Sequence, residues 1–169
     1  MSPTTWYLRR GRIHVETVID APLEAIWRHT QTPDLHARWD LRFSAIAYLP
    51  RPTMEEPQRF LYTRRLLPGL RVSGMGETVG DRFGADGSAT SALVFWSAQR
   101  RSLIRRGSGF WRYVPGEGGV RFVTEYDYEV RWGCLGVAID RLVFRRALAW
   151  LTARSFERLR RSLESGRVR

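Results

Sequence analysis

Tyr126 and Tyr128, with Thr124 beside them, are the residues whose spacing best suits contact with a ligand. Along 120–132, Val120, Phe122, Thr124, Tyr126, Tyr128, Val130 and Trp132 alternate with Arg121, Val123, Glu125, Asp127, Glu129 and Arg131. Such alternation marks a strand with one buried and one solvated face. Two hydroxyls and a threonine on a buried face either bond within the protein or meet the polar end of a ligand in an apolar pocket. Trp96, Trp111 and Tyr113, on neighbouring expected strands, are candidates to line the same space. Tyr62, Arg64 and Glu77 form a second group at mid-sheet. A charge turned inward there needs a partner, either across an Arg64–Glu77 pair or on a ligand head group. Parity leaves this open: Tyr62 and Arg64 share a face with Phe60 and Leu66, Glu77 with Arg71 and Met75.

Other chemistries find little support. His14, His29 and His36 fall on separate elements, without the His-Glu-x-x-His spacing of a metal site. The lone Cys134 excludes clusters of cysteine ligands and an intrachain disulfide. Gly107-Ser108-Gly109 lacks the spacing of a nucleophile elbow. Gly74-x-Gly76 with Gly80 lacks that of a dinucleotide loop, and the glycines are expected to mark bulges or bends. No metal and no cofactor is expected.

The elements that must position these residues read in order. Residues 1–11 look like a loose lead-in, with Trp6 and Tyr7 able to pack. Ile13, Val15, Thr17 and Ile19 define a first strand. Asp20-Ala21-Pro22-Leu23-Glu24 starts one short helix and Thr32-Pro33-Asp34 another. Trp27 and Trp39 are expected to fix these helices to the sheet rim. Strands come next at about 43–49, 60–66, 70–79, 90–98, 103–114 and 120–132, broken at Pro68-Gly69, Gly80-Asp81, Asp86-Gly87 and 115–119.

From Val137 to Ser165 there is neither glycine nor proline. Leu135, Leu142, Ala149, Phe156 and Leu163 recur every seventh residue, flanked by Phe144, Leu148, Leu151, Ser155 and Leu159, and predict a long helix with an apolar face. Arg141, Arg145, Arg146, Arg154, Arg158, Arg160 and Arg161 take the opposite side. The apolar face is short of bulk at Ala149, Thr152, Ala153 and Ser155. A cavity between this narrow waist and the sheet is therefore expected, with Ala149, Thr152, Ala153 and Phe156 as its helix-borne lining. Loops 51–57 and 80–88 are its expected rim.

Strands grouped between helices indicate an α+β fold with an antiparallel sheet, one domain over 1–169 with its core at 12–165. The chain resembles the START-like (SRPBCC) superfamily, which includes polyketide cyclases, lipid-transfer START domains and birch-type pollen allergens. The resemblance lies in the first strand running into Asp20-Ala21-Pro22-Leu23-Glu24-Ala25-Ile26-Trp27, then Thr32-Pro33-Asp34 to Arg38-Trp39-Asp40, the antiparallel strands and the terminal helix. It implies a helix-grip fold: a curved sheet of about six or seven strands around the long helix, with an apolar cavity between. It also implies a hydrophobic ligand such as a sterol, lipid or polyketide. No subfamily's catalytic motif carries over.

The formal net charge is +11, and all 28 basic residues are arginine, with no lysine or asparagine. The arginines are spread along the chain, which fits a GC-rich genome better than a nucleic-acid site. Contact with an anionic membrane or acidic protein remains open, as does the oligomeric state. The 1–11 segment has no signal-peptide character and no apolar run reaches the ~18 residues of a span, so a cytoplasmic setting is expected. Three functions fit these features: a non-catalytic carrier of a hydrophobic molecule, a polyketide cyclase or dehydratase using Tyr126, Tyr128, Arg64 and Glu77, and a regulatory or co-chaperone-like module using the arginine surface.

Overall fold

A computed structural model describes residues 4–9, 11–51, 53, 56–67 and 69–166. Residues 1–3 and 10 of the expected lead-in, 52, 54 and 55 of the expected rim loop, and Pro68 of its turn lie outside them. The elements are β1 (Thr5–Arg9), β2 (Arg12–Ile19), α1 (Leu23–Gln31), α2 (Pro33–Trp39), β3 (Ala45–Tyr48), β4 (Arg59–Leu67), β5 (Leu70–Phe83), β6 (Ala89–Trp96), β7 (Ile104–Gly116) and β8 (Gly119–Val130). A continuous helical run completes the chain: α3 (Gly133–Ile139), a π-helical segment (Asp140–Phe144) and α4 (Arg145–Ser165). The fold is α+β: one curved antiparallel sheet in the order β1-β2-β8-β7-β6-β5-β4-β3, gripping a long C-terminal helix.

The lead-in is a strand rather than a loose tail. Trp6 pairs with Val15 and Leu8 with Ile13, which makes β1 the edge of the sheet. Pro22 precedes α1, Glu24 stands in its first turn, and Pro33 sits in the first turn of α2. Proline costs nothing where the N–H has no helical partner, and an acid there meets the positive helix end.

Packing obeys the periodicities. Ile13, Val15 and Ile19 of β2 are fully buried, whereas His14, Glu16 and Val18 are half-buried on the other face. α4 makes its main sheet contacts with β2, with Cα atoms inside 8 Å. The centre of the core is an aromatic column. Tyr113 stacks on Phe122 at 5.0 Å between ring centroids, Phe122 stacks on Phe156 at 4.4 Å, and Trp39 meets Phe156 edge-on at 6.2 Å. Rings in these geometries add about 0.5–1.5 kcal/mol per pair to the burial itself.

The long helix departs from its expected phase. Leu135 and Leu142 were expected inward on the same stripe as Ala149 and Phe156, yet both are exposed. The buried stripe runs instead through Gly136, Asp140, Ala149, Thr152, Ala153, Phe156 and Leu159. The π-helical turn at Asp140–Phe144 holds more residues than an α turn, so it rotates α3 relative to α4. A buried ion pair holds it: Arg145 Nη2 lies 2.6 Å from Asp140 Oδ2, and the Tyr128 hydroxyl donates to Asp140 Oδ1 at 2.6 Å. Arg146 Nη1 donates to the Arg141 carbonyl at 2.6 Å, satisfying an acceptor that the widened turn releases. Gly136 is required here, because a Cβ would collide with the Arg131 carbonyl.

Of the glycines expected to mark bulges, Gly80 flanks one, whereas Gly74, Gly76 and Gly107 on the inner face do not. Register shifts fall at 65–67, 78–80 and 104–106. Gly76 lies under the Phe60 ring, Gly74 under Tyr62 and Gly107 under Phe95, and a Cβ at any of them would clash with that ring. Replacing Gly76 with valine is expected to cost about 1–3 kcal/mol by evicting the Phe60 ring. Gly80→Ala, which meets open space, should be near neutral; urea unfolding of the two variants checks this.

Candidate functional site

Register assigns faces to the candidate residues. Opposite residues in a pair share a face. Tyr126 pairs with Gly109, Gly109 with Leu93, and Leu93 with Thr78, while Tyr128 pairs with Gly107, Gly107 with Phe95, Phe95 with Gly76 and Gly76 with Phe60. Tyr62 and Arg64 continue from Phe60 on the same, inner face. Trp111, Tyr113, Thr124, Tyr126 and Tyr128 are also inner. Trp96 pairs with Arg106 and with Met75, and Glu77 with Val94 and Arg59, so both lie on the outer face. Glu77 is satisfied there by Arg59, Nε to Oε2 at 3.0 Å. Arg64 and Glu77 are therefore not a pair, and Trp96 and Glu77 do not line the interior. The register shift between Thr78 and Gly80 comes after Glu77 and does not affect its parity.

Most inward hydroxyls are committed within the protein. Tyr126 shares a 2.7 Å hydrogen bond with Thr152 Oγ1, whose own proton goes to the Leu148 carbonyl at 2.8 Å. Tyr128 donates to Asp140, and Thr124 Oγ1 to the Phe110 carbonyl at 3.0 Å. Tyr113 meets Thr30 Oγ1 at 2.6 Å and accepts from Gln31 Nε2 at 3.3 Å. Tyr62 is held most weakly, reaching the Trp96 carbonyl at 3.4 Å. Burial raises the pKa of all four tyrosines, Tyr62 to about 12. Each is a neutral donor at physiological pH and none is poised as a base.

The small residues of α4 also prove to be packed. Ala149, Ala153 and Phe156 lie in one buried cluster with Ile13 and Val15 of β2, and Thr152 is fully buried. Their small size lets α4 approach β2 closely. Two surface clefts lie elsewhere. One of about 500 Å³ is lined by Arg100, Arg105, Val130, Arg131, Trp132 and Gly133. The other, of about 300 Å³, lies between α1 and the end of α4 at Ala21, Arg28 and Leu163. Neither contains a residue expected to line a cavity.

Between α4 and the β3–β4 side of the sheet, the interior holds a charged cluster that the alternation and helix patterns did not reveal. Asp40, 1% exposed, closes α2. It accepts from Arg42 Nε at 2.9 Å and Nη2 at 2.6 Å, and from His36 Nε2 at 2.9 Å. Arg42 lies over the rings of Phe43 and Tyr126, at 5.4 and 5.6 Å. Ser155 of α4 accepts the Leu41 N–H at 2.9 Å and lies 3.4 Å from Asp40 Oδ1. One carboxylate thus ties together α2, the segment after it and α4. The signal available in the sequence was the i,i+4 spacing of His36 and Asp40, with Arg42 two residues on.

Burial opposes both charges of this ion pair, but the partners outweigh it: the Asp40 pKa is lowered, and that of Arg42 raised. For His36 burial wins over the attraction of Asp40 and its pKa is lowered. The imidazole is neutral at pH 7, donating one proton to an ionised Asp40.

Around this cluster lies a strip of apolar residues that the core does not close over. Phe43, Phe60, Tyr62, Leu93, Phe95 and Tyr128 are inner-facing or interior, and all are only half-buried. Phe43 meets Tyr62 edge-on at 5.4 Å, and Tyr128 meets Phe144 at 6.0 Å. Three of these rings lie over glycines, with no Cβ between ring and backbone, and form an apolar floor. Arg64, half-buried on the same face, has no hydrogen bond or ion pair among the described residues. Among the described residues, no group of three or more His, Cys, Asp and Glu is placed to hold a metal ion. The arrangement can bind an apolar body on the floor and an anionic or carbonyl group at Arg64.

This is a helix-grip fold. No protein-family model matches the chain. A membrane protein of Bacillus subtilis (strain 168), YndG, is 45% identical over 161 residues, which is 95% of this chain; the chain spans 60% of that relative's length. A STAR-related lipid transfer protein from Xanthomonas axonopodis superimposes with a TM-score of 0.66 at 14% identity, covering 96% of this chain and 99% of that one. The di-domain ARO/CYC protein StfQ of the steffimycin biosynthetic pathway gives 0.72 at 11% identity, over 94% of this chain and 52% of that one. TTHA0849 from Thermus thermophilus gives 0.64 at 18% identity, over 92% and 98%. At these identities the likeness of the solved structures is one of fold. Among the described residues, no helix is long and apolar enough to cross a membrane.

The cluster has a pH signature. Groups whose pKa is lowered by folding contribute stability above their unfolded pKa and lose it as pH falls. His36 is expected to erode stability below about pH 6.5 and Asp40 below about pH 4. Urea midpoints should fall from pH 7 to pH 5, and His36→Gln should flatten that slope. Asp40→Ala strands Arg42 and should cost about 3–5 kcal/mol.

Proposed function

We propose that the chain binds a hydrophobic small molecule, lipid- or polyketide-like, along the strip formed by Phe43, Phe60, Tyr62, Leu93, Phe95 and Tyr128, without altering it. The observation that carries this reading is the half-buried state of an apolar inner face beside a fully buried core. Apolar surface left accessible gains about 25 cal/mol for each Å² that a ligand covers. Arg64 supplies orientation, favouring a ligand that ends in a carboxylate, phosphate or polarised carbonyl.

The neighbours' printed functions, lipid transfer and ARO/CYC activity, support a hydrophobic ligand for this fold. The Bacillus relative is named a membrane protein, which puts lipids first among the ligands to test. A carrier fits the site better than a cyclase. Asp40 and His36 are committed to Arg42 and to each other, and the tyrosines there are donors with raised pKa. Proton abstraction needs a base of pKa near the working pH within reach of the substrate. A cytoplasmic setting suits the free, exposed thiol of Cys134.

Displacement or enhancement of cis-parinaric acid fluorescence tests the site, with the methyl ester as a control. The wild-type chain is expected to bind both. Arg64→Gln should weaken the acid about tenfold or more while leaving the ester unchanged. Phe95→Glu should abolish both. Absence of binding, or indifference to both substitutions at unchanged melting temperature, would refute the reading.

A further inference from the structure

The apolar side chains that the π-helical turn rotates outward gather beside the arginine-lined cleft. Leu135 is 62% exposed, Leu142 72% and Val143 65%, with Ile139 between them at three- and four-residue steps. Trp132 and Trp150 stand exposed at the two ends of this stretch. An exposed apolar helix face of this kind is uncommon on a free surface and marks an interaction site.

The charge along this helix has one sign, and an exposed acid by the cleft, Glu129, is paired with Arg106 at 2.7 Å. Between Glu129 and Glu157 the chain carries Arg131, Arg141, Arg145, Arg146 and Arg154, and its one acid, Asp140, is buried on Arg145. The cleft of about 500 Å³ at the start of the helix adds Arg100 and Arg105. Arg131 spans from that cleft to the Ser97 carbonyl, leaving its buried Nε without a partner. Trp132 sits at the cleft with φ of 67°, a left-handed conformation that a bulky side chain rarely adopts. Its Nε1 donates to the Arg100 carbonyl at 3.1 Å, which holds the ring at the surface next to the guanidinium groups.

We infer that this face docks on an anionic lipid bilayer. Leu135, Ile139, Leu142 and Val143 enter the boundary between headgroups and acyl chains, Trp132 and Trp150 lie at headgroup level, and Arg100, Arg105 and Arg131 receive lipid phosphates in the cleft. An amphipathic helix lying in the interface binds by this combination of apolar burial and attraction to anionic lipid. The charge selects a bilayer over a second copy of this chain, which would bring two arginine-rich rims together. The inference is independent of the ligand strip, since the two share no residue.

Vesicle sedimentation tests it, using phosphatidylcholine alone or with roughly one-third phosphatidylglycerol. The wild-type chain should sediment with the anionic vesicles, release in high salt, and show tryptophan quenching by brominated lipid that Trp132→Phe diminishes. The pairs Leu142→Ser with Val143→Ser, and Arg100→Ser with Arg105→Ser, change exposed positions. Each should lower the partition coefficient about tenfold or more at unchanged melting temperature. Failure to bind anionic vesicles, equal binding to phosphatidylcholine alone, or unchanged binding in both pairs would overturn the inference. So would capture by polyglutamate in place of vesicles, or a dimer that the Leu142 and Val143 changes dissolve.

Discussion

The carboxylate of Asp40 is the point on which the inner layer turns. It sits at the end of α2, in a position that excludes water, and cannot stay charged without partners. Arg42 supplies two hydrogen bonds, His36 a third, and Ser155 brings α4 within reach. Arg42 in turn is placed over Phe43 and Tyr126, so the ion pair also sets rings at the border of the half-buried apolar strip. Buried pairs of this kind add little net stability, because desolvation offsets most of their attraction. Their effect is geometric: few arrangements satisfy every group at once. Here that requirement fixes how α2, the turn after it and α4 meet.

A second buried carboxylate has the opposite consequence. Asp140 is held by Arg145 and Tyr128 where the helix crosses the end of β8. Keeping that contact while Ala149 and Phe156 stay on β2 requires more residues in the turn than an α-helix holds, and the helix widens into a π turn. Leucines that would have completed the apolar stripe are turned to solvent. One buried polar contact therefore changes the surface as well as the interior, and it does so next to the arginine cleft.

The sheet contributes through what it lacks. At Gly74, Gly76 and Gly107 no side chain stands between a neighbour's ring and the backbone. Phe60, Tyr62 and Phe95 can then pass close over the backbone, and the inner face there is apolar. Over β8 and β7, by contrast, Trp111, Tyr113 and Phe122 stand up into the aromatic column and fill the space under Phe156. The interior is thus divided along the sheet into a packed half under α4 and a half-open one beyond it.

From β2 onward the sequence by itself determined the element order, the antiparallel sheet and the terminal helix, because binary patterns of period two and near three and a half report which face is buried without reference to partners. Alternation along β8 drew Thr124, Tyr126 and Tyr128 inward, where register places them, and left the face of Tyr62 and Arg64 open. What it missed depended on relations between elements. Parity along one strand does not say which face of β5 and β6 joins the inner face of β8, so Glu77 and Trp96 were drawn inside. A row of small residues reads alike whether it faces a hollow or a close-packed strand, and Ala149 and Ala153 face the strand. A seven-residue repeat assumes an unbroken α-helix, and only the tertiary demand of Asp140 for Arg145 and Tyr128 decided that the helix would widen. The short spacing of His36, Asp40 and Arg42 stood in the sequence, but their burial beside Ser155 of α4 did not. Charge pairing in a core is settled by distance through space, and spacing along the chain carries that distance only within an element.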